Sequence, residues 1–322
     1  MIKKHWIALF FLFLLLPYLI LTIFVEVKPE KTPQKEEEQK SSGFTVTLYR
    51  SEQNRFEELP LRDYLWGALA GEMPASYPKE ALKAQVVACY SYLLHRQKTV
   101  AEHPAQNFGH DGDICDNPAH CKAYLPPDEA AARYGEDWYE TSAPILSQAV
   151  DEVFGQALLY DQQPVNAVFH AMSGGYTENA ADVWGAEVPY LQSVDSNWDK
   201  KAKDFSSTAE FSLDEMREIL GQQDCSLGAV TLTEGGSVAT QVIGGKSYTG
   251  RELRNLFSLR STRFTLNIEE DTAVFSVSGY GHQVGLSQHG ASILAEEGYQ
   301  YQEILFYYYT GTTLQKDYYP SF

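Results

Sequence analysis

The run from Trp6 to Val25 limits this chain more than any other feature. It is apolar apart from Pro17 and Thr22, so it has no polar face with which to join the edge of a water-soluble core. Its twenty residues, at a rise of ~1.5 Å each, just cross a hydrocarbon layer of about 30 Å. It exceeds the usual apolar length of a signal peptide, and no small-x-small cleavage site follows it. Lys3 and Lys4 precede it, which favours a cytoplasmic N-terminus. The expectation is an uncleaved, single-pass transmembrane signal anchor at 1–25, in the cell membrane. A cleaved signal is the weaker option.

Residues 26–43 are rich in Pro, Glu, Lys and Gln without apolar periodicity, as in a juxtamembrane linker. The folding unit is therefore expected at 44–322, outside the cytoplasm. Lys3 and Lys4 are the only charges of the anchor, so the formal net charge of −18 becomes −20 for the remainder. Such an acidic domain argues against nucleic acid or anionic lipid as an electrostatic partner.

Within that unit, alternation over Phe44–Tyr49 predicts a strand, and Leu61–Ala70 and Pro78–Gln97 read as helices. His103–Tyr124 reads as a loop, Glu129–Tyr134 and Ile145–Phe154 as helices. Ala157–Tyr160 and Val168–His170, separated by Asp161-Gln162-Gln163-Pro164, resemble a hairpin. A helix is expected at Ser212–Leu220, short strands over 228–282, and helices at Ser287–Glu297 and Tyr301–Tyr309. Helices and antiparallel strands are segregated, which predicts an α+β class with helices and short sheets around a substrate cleft.

Three segments carry candidate chemistry. Glu72 stands in Gly71-Glu72-Met73-Pro74, where one helix breaks and Pro78 opens the next. A junction of this kind can aim a carboxyl into a cleft among apolar neighbours, which raises its pKa towards that of a general acid. His110, Cys115, His120 and Cys121 fall within twelve residues, and two Cys with two His complete a tetrahedral zinc set. Such a closed shell would be structural, with one ion. A Cys115–Cys121 disulfide with two solvated histidines is the alternative. Cys89, on an apolar helix face, reads as a buried free thiol. Finally, His170-Ala171-Met172-Ser173-Gly174-Gly175-Tyr176-Thr177-Glu178-Asn179 and Gly279–Ala291 are Gly-marked loops crowded with hydrogen-bonding groups, suited to a polar substrate such as a sugar. The second has no Lys after its glycines and no βαβ context, so phosphate binding is not expected.

Four blocks in order resemble the stage II sporulation protein D family and the related amidase-enhancer domain. They are Gly71-Glu72-Met73-Pro74 with Glu80-Ala81-Leu82-Lys83-Ala84-Gln85; the Cys115–Tyr124 loop; Ser173-Gly174-Gly175 through Trp184 and Pro189-Tyr190-Leu191; and Gly281-His282 through Gly285, Ser287-Gln288 and Gly290-Ala291. The resemblance spans residues 44–315. It implies a lytic transglycosylase that cuts peptide-stripped glycan strands of peptidoglycan in septal remodelling during sporulation, leaving 1,6-anhydro-muramyl ends. The family's catalytic Glu falls on Glu72. It also implies denuded glycan as partner, a sporulation amidase that strips the peptides first, and membrane partners. The zinc set agrees with family members that carry one.

The chain departs from the family pattern in Cys89-Tyr90-Ser91-Tyr92, where Ala-Arg-Thr-Tyr is usual, and in Gln283 and His289, where Gly and Tyr are frequent. Ser173, Thr177, Tyr190 and Gln288 are the expected hydrogen-bonding contacts to substrate. His170 and His282 read equally as cleft-bracing or charge-stabilising groups and as satisfied structural histidines. Two rival readings stay open. One is a hydrolytic muramidase with Glu178, Asp182 or Asp195 as second carboxylate. The other is a non-catalytic glycan-binding enhancer of an amidase. A zinc amidase or peptidase ranks below both, because the metal set looks closed.

Overall fold

The computed structural model describes residues 44–103 and 112–320. The expected anchor, the linker and His110 lie outside the described residues. Among those described, no helix is long and apolar enough to cross a membrane.

The chain opens with a hairpin, β1 (Thr45–Arg50) and β2 (Arg55–Pro60), running straight into α1 (Leu61–Glu72). Pro74 forbids helical backbone at the residue before it, so Met73 is extended and α1 stops one residue past Gly71. Pro78 then starts α2 (Lys79–Glu102), whose proline-initiated first turn lacks nothing the helix would have used. Nearly every face of α2 is apolar or small between Ala81 and Leu94, and it is correspondingly enclosed, with α1 and three later helices packed around it.

A two-residue strand β3 (Ile114–Cys115) pairs parallel to β1 inside the segment expected to be loop. Next come α3 (Pro127–Tyr134) and α4 (Glu136–Glu152). The sequence reading starts this last helix at Ile145, but the helix begins nine residues earlier and carries Pro144 inside it. Pro144 frees only the carbonyl of Glu140, an exposed residue whose backbone water can satisfy.

β4 (Ala157–Tyr160) turns tightly through Asp161 and Gln162, both left-handed, into β5 (Gln163–Pro164). The expected hairpin partner, β6 (Phe169–His170), instead pairs in parallel with a late strand. A short helix α5 (Ala180–Trp184) and a 3₁₀ turn (Asn197–Lys201) lead to the β-rich lobe.

That lobe contains β7 (Ser206–Ser212), α6 (Leu213–Leu220), β8 (Leu227–Leu232), β9 (Val238–Ile243), β10 (Lys246–Thr249), α7 (Gly250–Leu256), β11 (Phe264–Glu269) and β12 (Thr272–Ser278). Its two antiparallel sheets, ordered β10-β9-β8 and β11-β12-β7, enclose a separate core around Met216, Leu253, Phe257 and Phe275. Helix α7 is not foreseen from the strand-like run 228–282, although Thr249 and Glu252 form a complete capping box.

The chain returns to the helical body through β13 (Leu286–Ser287), α8 (Gln288–Glu296), α9 (Tyr301–Tyr308) and β14 (Thr313–Gln315), which pairs with β4. Helices α8 and α9 pack on α2, so the first and last parts of the catalytic candidate region share one core.

Candidate functional site

Glu72 ends α1, and the way it is held follows from two glycines one turn apart. A Cβ on Gly67 would enter the ring of Tyr124, and one on Gly71 would sit 3.0 Å from the backbone of Ala123 and Tyr124. This bare strip lets the segment 122–125 lie directly on α1, with the Leu125 N–H donating to the Gly67 carbonyl at 2.9 Å. The same approach brings the Ala123 N–H to Glu72 Oε1 at 2.6 Å. From the far end of the chain, Gln288 Nε2 donates to the Glu72 carbonyl at 3.0 Å and reaches Gln85 Oε1 on α2 at 3.4 Å.

Burial raises the Glu72 carboxyl above its ordinary pKa and outweighs the opposing pull of Lys122, the Ala123 N–H and Gln288. The residue nevertheless keeps part of its surface exposed. Among the described residues it alone lines both of two neighbouring cavities. One, of about 660 Å³, runs from Ala70–Ser76 to Tyr134, Trp138 and Ile145. The other, of about 500 Å³, is lined by Lys122, Arg96, Phe169, Trp184 and His282. Glu72 is the sole carboxylate lining either cavity among the described residues.

Of the expected substrate contacts, the structure brings Gln288 to Glu72. Ser173 and Thr177 are fully enclosed. The Ser173 hydroxyl accepts from the Gly175 N–H at 3.1 Å, and the Thr177 hydroxyl accepts from the Val194 N–H at 2.8 Å. Tyr190 accepts from the Asn166 N–H at 3.0 Å and packs its ring on Tyr160. None of these three lines a cavity that contains Glu72. Their place is the frame of the site.

The two Gly-marked loops, read separately in the sequence, form one unit, because β6 and β13 pair Phe169 with Leu286 and His170 with Ser287. Gln283 lies at φ 69°, a conformation that favours glycine. Its amide offsets that strain by accepting from the Gly174 N–H at 2.5 Å and donating to the Met172 carbonyl at 3.0 Å. His289 approaches the buried Asp199 at 3.1 Å, and Asp199 also accepts from Ser287 and Ser196. His170 and His282 are both neutral in this setting: burial lowers the first to about 4 and the second well below its ordinary value.

The cysteine segment is anchored by β3 against β1 and by Asn117, whose carbonyl accepts from the His120 and Cys121 N–H groups at 3.0 and 2.8 Å. This is the turn that Asn117-Pro118 predicts. All four cysteines are buried and none is in a disulfide, Cys89 among them. The Cys115 thiol hydrogen-bonds to that of Cys121 and helps lower it to about 6. Two such neighbouring buried sulfurs, one thiolate-prone, suit a metal that takes thiolates. His120 is exposed beside them. Among the described residues no cluster of three or more candidate ligands is poised for an ion, and the full set needs His110.

Comparison with known proteins identifies the family. A family model described as "Stage II sporulation protein" matches residues 49–160. The chain is 35% identical over 281 residues to Stage II sporulation protein D of Bacillus subtilis (strain 168), covering 86% of this chain and 80% of that protein. The chain belongs to the stage II sporulation protein D family. Another stage II sporulation protein D, from Bacillus amyloliquefaciens, is 34% identical over 282 residues, with the same coverage of 86% and 80%. The Amidase enhancer of Bacillus subtilis (strain 168) is 28% identical over 309 residues, which cover 78% of this chain and 40% of that protein. The family match covers α1, α2 and the cysteine segment, the parts that position Glu72 in this stage II sporulation protein D family member.

Lys122, Tyr134 and Trp138 are site residues that sequence reasoning misses. The two aromatics flank Gly135, where α3 passes into α4, and their rings meet at 4.7 Å. Spacing of four residues is a usable signal for such a pair only once both helices are known.

Proposed function

We propose that this sporulation-family protein is a peptidoglycan lytic transglycosylase with Glu72 as its single catalytic residue. The observation that supports it best is that Glu72, with its raised pKa, is the only carboxylate among the described residues that lines either of the cavities meeting at it. A hydrolytic mechanism calls on a pair of facing carboxylates. Glu178 is enclosed and accepts from the Ser237 N–H at 3.1 Å, while Asp182 and Asp195 hold their own turns through Asn179 and Asn197.

In this reading Glu72, protonated, donates to the glycosidic oxygen between N-acetylmuramic acid and N-acetylglucosamine. The carboxylate so formed takes the proton of the muramyl C6 hydroxyl, whose oxygen closes onto C1. The C1–O bond to the leaving sugar breaks, a C1–O6 bond forms, and the proton count balances without water as nucleophile. Gln288 and the Ala123 N–H orient Glu72, and the latter steadies its carboxylate form. Ser173, Thr177 and Tyr190 set the shape of the loops around the glycan.

The proposed setting is an extracytoplasmic domain at 44–322, tethered by an anchor at 1–25 with a cytoplasmic N-terminus and joined by the linker at 26–43. Partners would be peptide-stripped strands, a sporulation amidase and membrane proteins. One structural zinc would be held by His110, Cys115, His120 and Cys121 and would order the segment that presents Ala123. Mass spectrometry of products from denuded strands tests the activity: 1,6-anhydro ends are expected, and reducing ends would mean a hydrolase. The likeness to a protein named Amidase enhancer supports a second reading, a non-catalytic glycan-binding activator. Strand cleavage by the purified protein with no amidase present would exclude it.

A further inference from the structure

Besides Arg96, the smaller cavity contains a second cation that the proposed proton transfer does not use. Lys122 is 6% exposed, and its Nζ lies 3.4 Å from the centre of the Phe169 ring and 4.2 Å from that of Tyr92. No carboxylate among the described residues comes within ion-pair distance of it, and burial lowers its pKa against the opposing fields of Glu72, Cys89 and Cys121. Ring faces return to a cation less than it loses on leaving water. An ammonium kept in such a place is poised for an anion that arrives from outside.

The surroundings narrow the choice of anion. Trp184, 41% exposed, packs its ring 5.3 Å from that of His282, and both line the cavity with Phe169, giving it apolar walls of the kind that hold a sugar. His282 is neutral and adds no charge. A chain of formal net charge −18 repels anions at long range, so Lys122 acts at contact distance on a group already carried by a bound ligand. Resting on the glycan substrate proposed above, one candidate group stands out chemically. The O-lactyl substituent of a muramyl residue is an amide while a stem peptide is attached, and a free carboxylate once it is removed.

We infer that Lys122 pairs with the free O-lactyl carboxylate of a muramyl residue lying in this cavity, and so selects peptide-stripped strands over peptide-bearing ones. Bound there, the carboxylate also offsets the cation that draws Glu72 towards ionisation, which favours the proton-donating form in the complex.

The test compares denuded strands with the same strands after their lactyl carboxylates have been converted to methylamides. Binding is measured in the full chain carrying Glu72→Gln, so that strands stay uncut, and cleavage in the wild type. With Lys122 present, amidation should weaken binding roughly tenfold or more, as for loss of one charged hydrogen bond. Adding Lys122→Met, which keeps length and apolar burial, should bring both strands to the weaker affinity, while Lys122→Arg should keep the preference. Equal binding of the two strands in the presence of Lys122 overturns the inference, and needs no substitution at 122 to be seen. A preference that survives Lys122→Met overturns the assignment to this residue. Strands bound with that preference but never cut would refute the lytic reading and leave this one standing.

Discussion

The two cavities that share Glu72 differ in kind. The larger is walled by the end of α1, the turn at 73–76 and the later helices with Tyr134, Trp138 and Ile145, and among the described residues it has no charge besides Glu72. The smaller is lined by α2, the cysteine segment, Phe169, Trp184 and His282, and it adds Lys122 and Arg96 to aromatic walls. One side can raise the pKa of a carboxyl by excluding water, and the other can stabilise its anion. Glu72 has to pass between the two forms in a proton transfer, and its place between unlike surroundings gives each form support. The difference teaches that burial can raise such a residue while a cation and hydrogen-bond donors on one side keep its anion accessible.

The largest effect should come from Glu72→Gln, which alters the residue common to both cavities. Volume and hydrogen-bonding reach are nearly kept, so the melting temperature should stay close to that of the wild type. Cleavage of denuded strands should fall by about 100-fold or more, the usual share of a general acid–base. A variant that keeps a sizeable share of wild-type turnover would remove Glu72 from its role.

Chelation should act on the charged side alone. If zinc holds the cysteine segment, the purified protein carries about one ion, Cys121→Ser loses it, and a chelator lowers thermal stability and loosens 103–124 in hydrogen exchange. Tyr134 and Trp138 should stay as protected as before. Equal loosening of both regions would break the contrast drawn between the two sides.

Trp138→Ala probes the opposite side. It removes one ring from the pair with Tyr134 and should weaken strand cleavage by roughly 2–10-fold, through KM more than kcat, as expected of an aromatic contact. A change confined to kcat would argue that the ring acts on Glu72 and not on the glycan.

The smallest effect concerns pH and stability. Burial raises the folded-state pKa of Glu72 above its unfolded value. Its contribution to stability is therefore fully present below the ordinary glutamate range and is lost as pH rises through the raised folded value. Glu72→Gln should abolish that decline, so the variant should gain on the wild type as pH climbs from acidic to neutral. Parallel stability curves for the two proteins would show that the carboxyl is not tuned by burial.

Much of the local structure was legible in the sequence, because prolines and alternating or helical periodicity act over a few residues. Met73-Pro74 marks the end of α1, Pro78 the start of α2, and Asn117-Pro118 the turn before His120. The early start of α4 was not legible, since tolerance of Pro144 depends on Glu140 facing water. Glu72 could be singled out by its junction. The hydrogen bonds of Ser173 and Thr177 could not, because a polar residue in a Gly-rich loop looks the same whether it faces a ligand or its own backbone.

What the residue order settled was most of the longer helices, the α+β class and the candidate acid, all consequences of short-range propensity and patterning. What folding in three dimensions added was the company that acid keeps. Gln288 lies 216 residues from Glu72 in the chain and the Ala123 N–H lies 51 away. Lys122 reaches the same site only because Gly67 and Gly71 let its segment lie against α1. Contacts of such separation depend on which surfaces pack together, and packing is decided by the whole core at once.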